Sequence, residues 1–166
     1  MQVKFTTSLG DYVVELDDEK APISVKNFLE YVDAKFYEGT IFHRVISNFM
    51  VQGGGFTEDM SPTPKETRPP IALESGNGLK NVRGAVAMAR TSVPDSATSQ
   101  FFVNVVDNPG LDHPSPDGHG YAVFGQVVEG MDVIDKIRNT ETRNQGGAFQ
   151  DAPVEKVVIT SVCRVE

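Results

Sequence analysis

Residues 42–55 hold the side chains best suited to chemistry in this sequence. Arg44 stands between apolar residues, and an aromatic residue, a methionine and a glutamine follow at Phe49, Met50 and Gln52. A fully buried arginine is costly unless it is paired. At the rim of an apolar groove, however, Arg44 would be a fixed positive donor that can hold an uncharged polar substrate, such as a peptide, and act on it electrostatically. The alternative is an ordinary strand whose arginine points to water.

Other kinds of catalytic chemistry lack their motifs in this chain. His43, His113 and His119 do not have the spacing of a common zinc site, and Cys163 is isolated from them. The glycines at 53–55 are not followed by the Lys-Ser/Thr of a phosphate-binding loop, and no Gly-x-Ser-x-Gly nucleophile elbow is present. We therefore expect an activity that needs no metal, no cofactor and no covalent intermediate.

Length and charge narrow the classes of partner. The chain has 166 residues and a formal net charge of -8, which disfavours binding to nucleic acid and to anionic membranes. Its length predicts one domain, residues 1–166, with a core of its own. No apolar signal-peptide segment and no long apolar span are present, so we expect a cytoplasmic protein.

The periodicity of apolar residues predicts the elements that must position Arg44. Alternation near the start predicts a β-hairpin, and Val25, Phe28, Leu29 and Val32 form the apolar stripe of a helix that begins near Pro22 and ends near 35–37. Residues 40–52 indicate two strands joined at 47–48. We expect the three glycines at 53–55 to end the second of these strands. A second short helix is predicted over 131–137, and one long strand over 154–165.

About eight strands and two helices fit a closed antiparallel β-barrel with a helix over each open end. Closure removes the strand edges that otherwise invite aggregation. A β-sandwich with two helices is the alternative architecture.

A family resemblance rests on five separated motifs that span nearly the whole chain. The segments that carry it are Phe42-His43-Arg44-Val45-Ile46-x-x-Phe49-Met50-Val51-Gln52-Gly53-Gly54, Pro22-x-x-Val25-x-Asn27-Phe28, Ala87-Met88-Ala89, Ser99-Gln100-Phe101-Phe102 and Val123-Phe124-Gly125-x-Val127-x-x-Gly130-Met131. Together they resemble the cyclophilins, a family of peptidyl-prolyl cis–trans isomerases. The segments around Lys80 and Arg90 resemble the bacterial cytosolic branch.

The resemblance implies a mainly β fold, an eight-stranded barrel capped by two α-helices, and isomerisation of X-Pro peptide bonds in assistance of protein folding. It also implies the residues of the site: Arg44 as the catalytic arginine with Gln52 beside it; Phe49, Met50, Phe102 and Leu111 around the proline ring; Gln100 on the substrate backbone; Ala89, Arg90 and Thr91 as the wall that meets the substrate chain; and His43 and Tyr121 at the rim. Strand alternation, by contrast, places His43 on the face opposite Arg44.

The implied partners are proline-containing peptides and protein clients, bound by a monomer. Gly110 stands where many relatives have an aromatic residue, so we expect weakened binding of cyclosporin. Arg90 with Thr91, Arg83 and Lys80 suggests a preference for acidic or polar residues ahead of the proline. The alternative function is a proline-peptide binding or chaperone module with little turnover. A ligand-carrying barrel is disfavoured, because small barrels with filled cores leave little cavity.

Overall fold

The structure is a computed structural model that describes residues 1–165. Within that range lie ten strands, two α-helices and a single turn of 3-10 helix. The strands are β1 (Gln2–Thr7), β2 (Gly10–Leu16), β3 (Thr40–Ile46), β4 (Met50–Thr57), β5 (Ala85–Met88), β6 (Phe101–Asn104), β7 (Val123–Glu129), β8 (Thr142–Arg143), β9 (Ala152–Pro153) and β10 (Val158–Val165). The helices are α1 (Pro22–Asp33) and α2 (Met131–Arg138), and the 3-10 turn is Pro109–Leu111.

Eight of the strands close into an antiparallel barrel. Their order around the barrel is β1-β10-β3-β4-β6-β5-β7-β2, while β8 and β9 form a separate two-stranded ribbon. The prediction of a closed eight-stranded barrel with two helices is confirmed, and the sandwich is excluded. Closure leaves the barrel strands without the unpaired backbone edge of an open sheet.

Large aromatic side chains fill the interior of the barrel. Phe5 stacks on Tyr12 at 4.6 Å between ring centroids, and Phe28 of α1 lies 5.2 Å from Phe124. The second helix adds Ile134 and other buried apolar residues to the same cluster. Because the inside is packed with side chains, a binding site has to lie on the outer surface.

The first helix is held at its N-terminus by a residue distant in sequence. Pro22 occupies the first turn, where its missing N–H is not needed. The Glu74 carboxylate accepts hydrogen bonds from the backbone N–H groups of Ile23 (3.1 Å) and Ser24 (2.6 Å). These bonds satisfy two of the donors that a helix start leaves free, and they complement the helix dipole. They also attach the long loop that carries Glu74 to the barrel.

Two predicted strand boundaries were wrong. The glycines at 53–55 lie inside β4 instead of ending it, and closely packed neighbours leave no space for a side chain at any of the three. A Cβ at Gly53 would lie 2.8 Å from the carbonyl oxygen of Ile41. The final strand begins at Val158 instead of near 154, and β9, which precedes it, pairs with β8 outside the barrel. Among residues 1–165, no helix is both long and apolar enough to cross a membrane.

Candidate functional site

Arg44 lies in a row of residues that crosses four neighbouring barrel strands. Arg44 of β3 pairs with Gln52 of β4, Gln52 with Phe102 of β6, and Phe102 with Ala87 of β5. Residues directly opposite each other in antiparallel strands share a face of the sheet. Phe101, which alternates with Phe102, belongs to the barrel core. The row therefore lies on the outer surface, where β-strand geometry aligns residues that are far apart in sequence.

Three residues of this row, Arg44, Gln52 and Phe102, line a cavity of about 280 Å³. Phe49 of the β3–β4 turn lines one side, and Leu111 of the 3-10 turn and Tyr121 line another. Phe102 and Tyr121 meet edge to face at 5.7 Å between centroids. All but three of the residues predicted for the site line this cavity: Arg44, Phe49, Met50, Gln52, Ala89, Arg90, Phe102, Leu111 and Tyr121. We call it the groove.

The three remaining residues lie elsewhere. Thr91 and Gln100 line a smaller cavity of about 160 Å³ that adjoins the groove and shares Gln52, Ala89 and Arg90 with it. His43 lines neither cavity. The structure thus brings eleven of the predicted residues to one surface region and leaves His43 out.

A short chain of hydrogen bonds orients the guanidinium of Arg44. Arg44 Nη1 donates to Gln52 Oε1 at 3.4 Å, and Gln52 Nε2 donates to Gln100 Oε1 at 2.9 Å. Among residues 1–165, no carboxylate lies within ion-pair distance of Arg44, whose side chain is exposed. The positive charge is thus directed by neutral amides and keeps donors free for a substrate.

Arg90, the second arginine of the groove, is fully engaged by the protein. Its side chain is 1% exposed, and it pairs with Asp117 at 3.0 Å and donates to the Gly120 carbonyl oxygen at 2.6 Å. Its guanidinium carbon also lies 4.4 Å from the centre of the Tyr121 ring. Desolvation opposes ionisation of Asp117, but hydrogen bonds from Arg90 and the backbone outweigh it and lower the pKa of that carboxyl. Arg90 thus holds the segment that carries Tyr121.

The positions of three cations in the structure do not support the expected preference for acidic residues ahead of the proline. Arg83 forms a bidentate pair with Asp135, at 2.9 and 2.8 Å, outside the groove. Lys80 lines a different cleft, together with Glu15 and Asp17. Since Arg90 is paired as well, these three cations do not present free charge to a substrate in the groove.

His43, which the resemblance places at the rim of the site, does not line the groove. Phe42 pairs with Gly53 and Arg44 with Gln52, so His43 is the extra residue of a β-bulge. The bulge turns its ring away from the groove and against Phe56, at 4.6 Å between centroids. The side chain is 4% exposed, and its Nδ1 has no hydrogen-bond partner among residues 1–165. His43 is therefore a core residue.

We expect His43 to make the fold sensitive to acid. Burial, aided by the charge of Arg44, lowers its pKa from 6.5 to about 4. The unfolded chain takes up this proton first, so stability present above pH 6.5 is lost as the pH falls towards 4. Between pH 7 and about pH 4.5, the loss from this residue should be about 2 kcal/mol.

Urea unfolding of the wild type and His43→Phe at both pH values measures this loss. The variant should lose less stability on acidification than the wild type. An equal loss of stability in the two proteins would contradict the assignment.

Two residues of the site escaped the sequence analysis. Asp117 lies in a loop with no local pattern, and its partner Arg90 is 27 positions away. Gly55 packs its α-carbon against the side chain of Gln100, because a Cβ there would lie 2.5 Å from Gln100 Nε2. The run of glycines at 53–55 is visible in the sequence, but spacing alone does not show which neighbour each glycine contacts.

Comparison with known proteins agrees with this geometry. The family described as "Cyclophilin type peptidyl-prolyl cis-trans isomerase/CLD" matches residues 2–164. The chain is 58% identical to peptidyl-prolyl cis-trans isomerase A of Dickeya dadantii over 96% of this chain and 82% of that protein. It is 54% identical to peptidyl-prolyl cis-trans isomerase B of Escherichia coli over 96% of this chain and 97% of that protein.

Solved structures share the fold. A cyclophilin-type isomerase from Cryptosporidium parvum superposes with a TM-score of 0.83 at 25% identity, covering 99% of this chain and 97% of that one. A crystal structure of the same protein in the presence of the dipeptide Ala-Pro gives a TM-score of 0.82 at 24% identity, covering 100% and 99%. The barrel, the groove around Arg44 and the match over residues 2–164 lead to one conclusion: the chain belongs to the family of cyclophilin-type peptidyl-prolyl cis–trans isomerases.

Proposed function

We propose that this chain catalyses cis–trans isomerisation of X-Pro peptide bonds in the groove around Arg44. The observation that carries the proposal is a guanidinium without an ion pair among the described residues, held by Gln52 beside a cavity that apolar side chains line in part. Phe49, Met50 and Phe102 give that cavity the apolar surface that a proline ring requires.

The reaction demands little conventional acid–base chemistry. Rotation about a peptide bond meets a barrier of about 18–20 kcal/mol, which comes from C–N resonance. Both isomers of an X-Pro bond are populated, but they exchange in ~10–100 s without a catalyst. Since no covalent bond breaks, a catalyst has only to stabilise the twisted state in which the resonance is lost.

Arg44 has the chemistry to stabilise that twisted state. When the bond is perpendicular, the prolyl nitrogen becomes pyramidal and regains a lone pair that the planar ground state does not offer. A guanidinium N–H can donate to this lone pair, and the interaction exists only near the transition state. Loss of one such positioned donor in other enzymes costs about 10²–10³ in rate.

The remaining groove residues orient the substrate in this mechanism. The apolar cavity holds the proline ring while the acyl part turns, and Gln52 and Gln100 keep Arg44 directed towards the prolyl nitrogen. Free polar atoms of the two glutamines, with the wall at Ala89, are placed to meet the substrate backbone. Holding the reacting groups in this way lowers the entropic part of the barrier.

The deciding experiment is exchange NMR on an Ala-Pro peptide with catalytic amounts of the wild-type protein. Acceleration of exchange over the uncatalysed rate is the expected result. The choice of peptide follows from the Cryptosporidium parvum structure determined in the presence of Ala-Pro. Binding without acceleration would contradict the proposal and would favour the alternative, a proline-recognition or chaperone module.

The proposal includes the biological setting. We infer a monomer that acts in the cytoplasm on proline-containing segments of folding clients, and the segments around Lys80 and Arg90, which resemble the bacterial cytosolic branch, support this location. A refolding assay with a protein limited by proline isomerisation tests assistance of folding. Sedimentation analysis tests the monomer, and fractionation of cells that produce the protein tests its location.

Cyclosporin should bind more tightly once an aromatic residue is restored at Gly110. The residue lies in the exposed 3-10 turn beside Leu111, and a Cβ at this position would meet no atom within 4 Å. A tryptophan there can therefore cover the rim of the groove without displacing its neighbours. We expect Gly110→Trp to lower the Kd of cyclosporin about tenfold, since buried tryptophans are frequent binding hot spots.

Inhibitor titration of both proteins measures this effect, with Gly110→Ala as the control for loss of the glycine itself. Turnover of the Ala-Pro peptide should change little in either variant. Equal cyclosporin affinity in Gly110→Trp and the wild type would contradict the prediction.

A further inference from the structure

Three asparagine side chains form a continuous polar chain behind the groove. Asn108 Nδ2 donates to Asn104 Oδ1 at 2.8 Å, and Asn104 Nδ2 donates to Asn81 Oδ1 at 3.0 Å. Asn104 is fully buried and Asn81 is 1% exposed. The donors run in one direction, from Asn108 to Asn104 to Asn81, so the side-chain carbonyls of Asn104 and Asn81 each accept from one amide nitrogen. We call this set the amide relay.

Both ends of the relay reach the backbone of residues that wall the groove. Asn108 Nδ2 also donates to the Phe49 carbonyl oxygen at 2.9 Å. At the other end, Asn81 Nδ2 lies 3.3 Å from the Leu111 carbonyl oxygen and 3.5 Å from that of Tyr121. Phe49 precedes β4, whereas Leu111 and Tyr121 follow β6, so they belong to separate segments. The relay therefore joins segments that the barrel ladder does not join directly.

Backbone hydrogen bonds extend the same link. The N–H of Asn108 donates to the Asn81 carbonyl oxygen at 2.7 Å, and the N–H of Leu111 donates to that of Asn108 at 3.0 Å. Tyr121 is tied in turn to Leu111, with its N–H 2.9 Å from the Leu111 carbonyl oxygen. Asn108 thus contacts the Phe49 side directly and carries the turn that presents Leu111. Asn108 therefore links the wall at Phe49 to the wall at Leu111 and Tyr121.

We propose that the amide relay fixes the width of the proline pocket, and that Asn108 is the positioning residue that matches this width to a five-membered ring. This inference rests on the proposed isomerase function and deepens it. Amide groups paired within a mostly buried network hold one geometry, because a displacement leaves polar groups without partners. In an apolar pocket of set width, one additional methylene changes the rate by about 10–200-fold.

Ring size separates this positioning role from a general contribution to stability. The substrates are two peptides that differ only in the imino acid after alanine: proline, or pipecolic acid with its six-membered ring. Exchange NMR gives kcat/KM for each peptide, and titration gives each Kd. The variants are Asn108→Ala and Asn108→Asp, the second of which keeps the size but replaces the donor nitrogen by oxygen.

Thr40→Val is the matched control. Thr40 is fully buried in β3 and donates one hydrogen bond, to the Tyr37 carbonyl oxygen at 2.6 Å, but it does not line the groove. It therefore loses a buried hydrogen bond without touching either wall.

The wild type should prefer proline, and the Asn108 variants should lose about tenfold in kcat/KM for proline, chiefly through KM. Their ratio of proline to pipecolic acid should fall at least about fivefold, whereas Thr40→Val keeps the wild-type ratio. The inference is overturned if an Asn108 variant that folds keeps the wild-type ratio of kcat/KM for proline to that for pipecolic acid. It is also overturned if neither the wild type nor any variant turns over the peptide with the larger ring.

Failure of the proposed function would look different. It would show as a wild type that binds Ala-Pro without accelerating its exchange. The Kd of the pipecolic acid peptide divided by the Kd of the proline peptide would then report the pocket width. This quotient should fall in the Asn108 variants, and an unchanged quotient would overturn the inference.

Discussion

Replacing Arg44 by alanine should lower kcat/KM for an Ala-Pro peptide by about 100- to 1000-fold. The peptide Kd should change by no more than about threefold, because the lone pair that Arg44 would contact exists only in the twisted state. The guanidinium has no ion pair among residues 1–165, so its loss leaves no carboxylate unpaired and the variant should stay folded. Exchange NMR measures the turnover, and titration measures the binding.

Lysine at the same position refines this expectation. An ammonium keeps the charge but lacks the planar fork that lets Arg44 donate to Gln52 and to a substrate together. We expect Arg44→Lys to recover only a small part of the lost rate. Arg143→Ala is the control, since Arg143 is an exposed arginine of the β8–β9 ribbon whose one ion pair among residues 1–165 is with Glu141. If Arg44→Ala turned over at the wild-type rate, the electrostatic mechanism would be wrong.

Gly55→Ala should reduce kcat/KM about tenfold although Gly55 does not line the groove. A Cβ at this position would lie 2.5 Å from Gln100 Nε2 and 2.6 Å from its Cγ, so the glutamine has to move. Gln52 then loses the acceptor to which it donates at 2.9 Å, and Arg44 loses its fixed orientation. Because a flexible side chain can shift, the variant should keep most of its stability.

A double-mutant cycle tests the route of this effect. If Gly55→Ala acts by displacing Gln100, it should cost little in a protein that already carries Gln100→Ala. Gly76→Ala is the control, since a Cβ there would meet no atom within 4 Å. Additive losses of activity in the cycle would contradict the proposed route through Gln100.

Much of the architecture could be predicted from periodicity alone. The apolar stripe of α1 and the opening hairpin appear as expected, because each buries one face and therefore repeats apolar residues at the period of its own geometry. The short strands β8 and β9 were not predicted. Two-residue strands bury too little to leave a periodic pattern, and they form only because their partners are brought alongside.

The identity of the groove residues came from motifs, whereas their surroundings came from packing. Arg44 and Arg90 are both arginines in conspicuous segments, and the sequence does not distinguish their states. In the fold, Arg90 is buried against Asp117, whereas among residues 1–165 the guanidinium of Arg44 has only the amide of Gln52 as a hydrogen-bond partner. The difference depends on a loop that arrives from elsewhere in the chain. Free charge at a site is thus a property of the tertiary structure.

By itself, the sequence determined the family, the barrel and the chemical types that the groove contains, since these follow from local periodicity and from motifs carried along the chain. Only the tertiary structure decided the direction of each side chain. Packing against Phe56 made His43 a core residue, and the approach of Gln100 explained Gly55. Register, bulges and contacts between distant segments set these directions, because each depends on which strand lies alongside and not on neighbours in sequence.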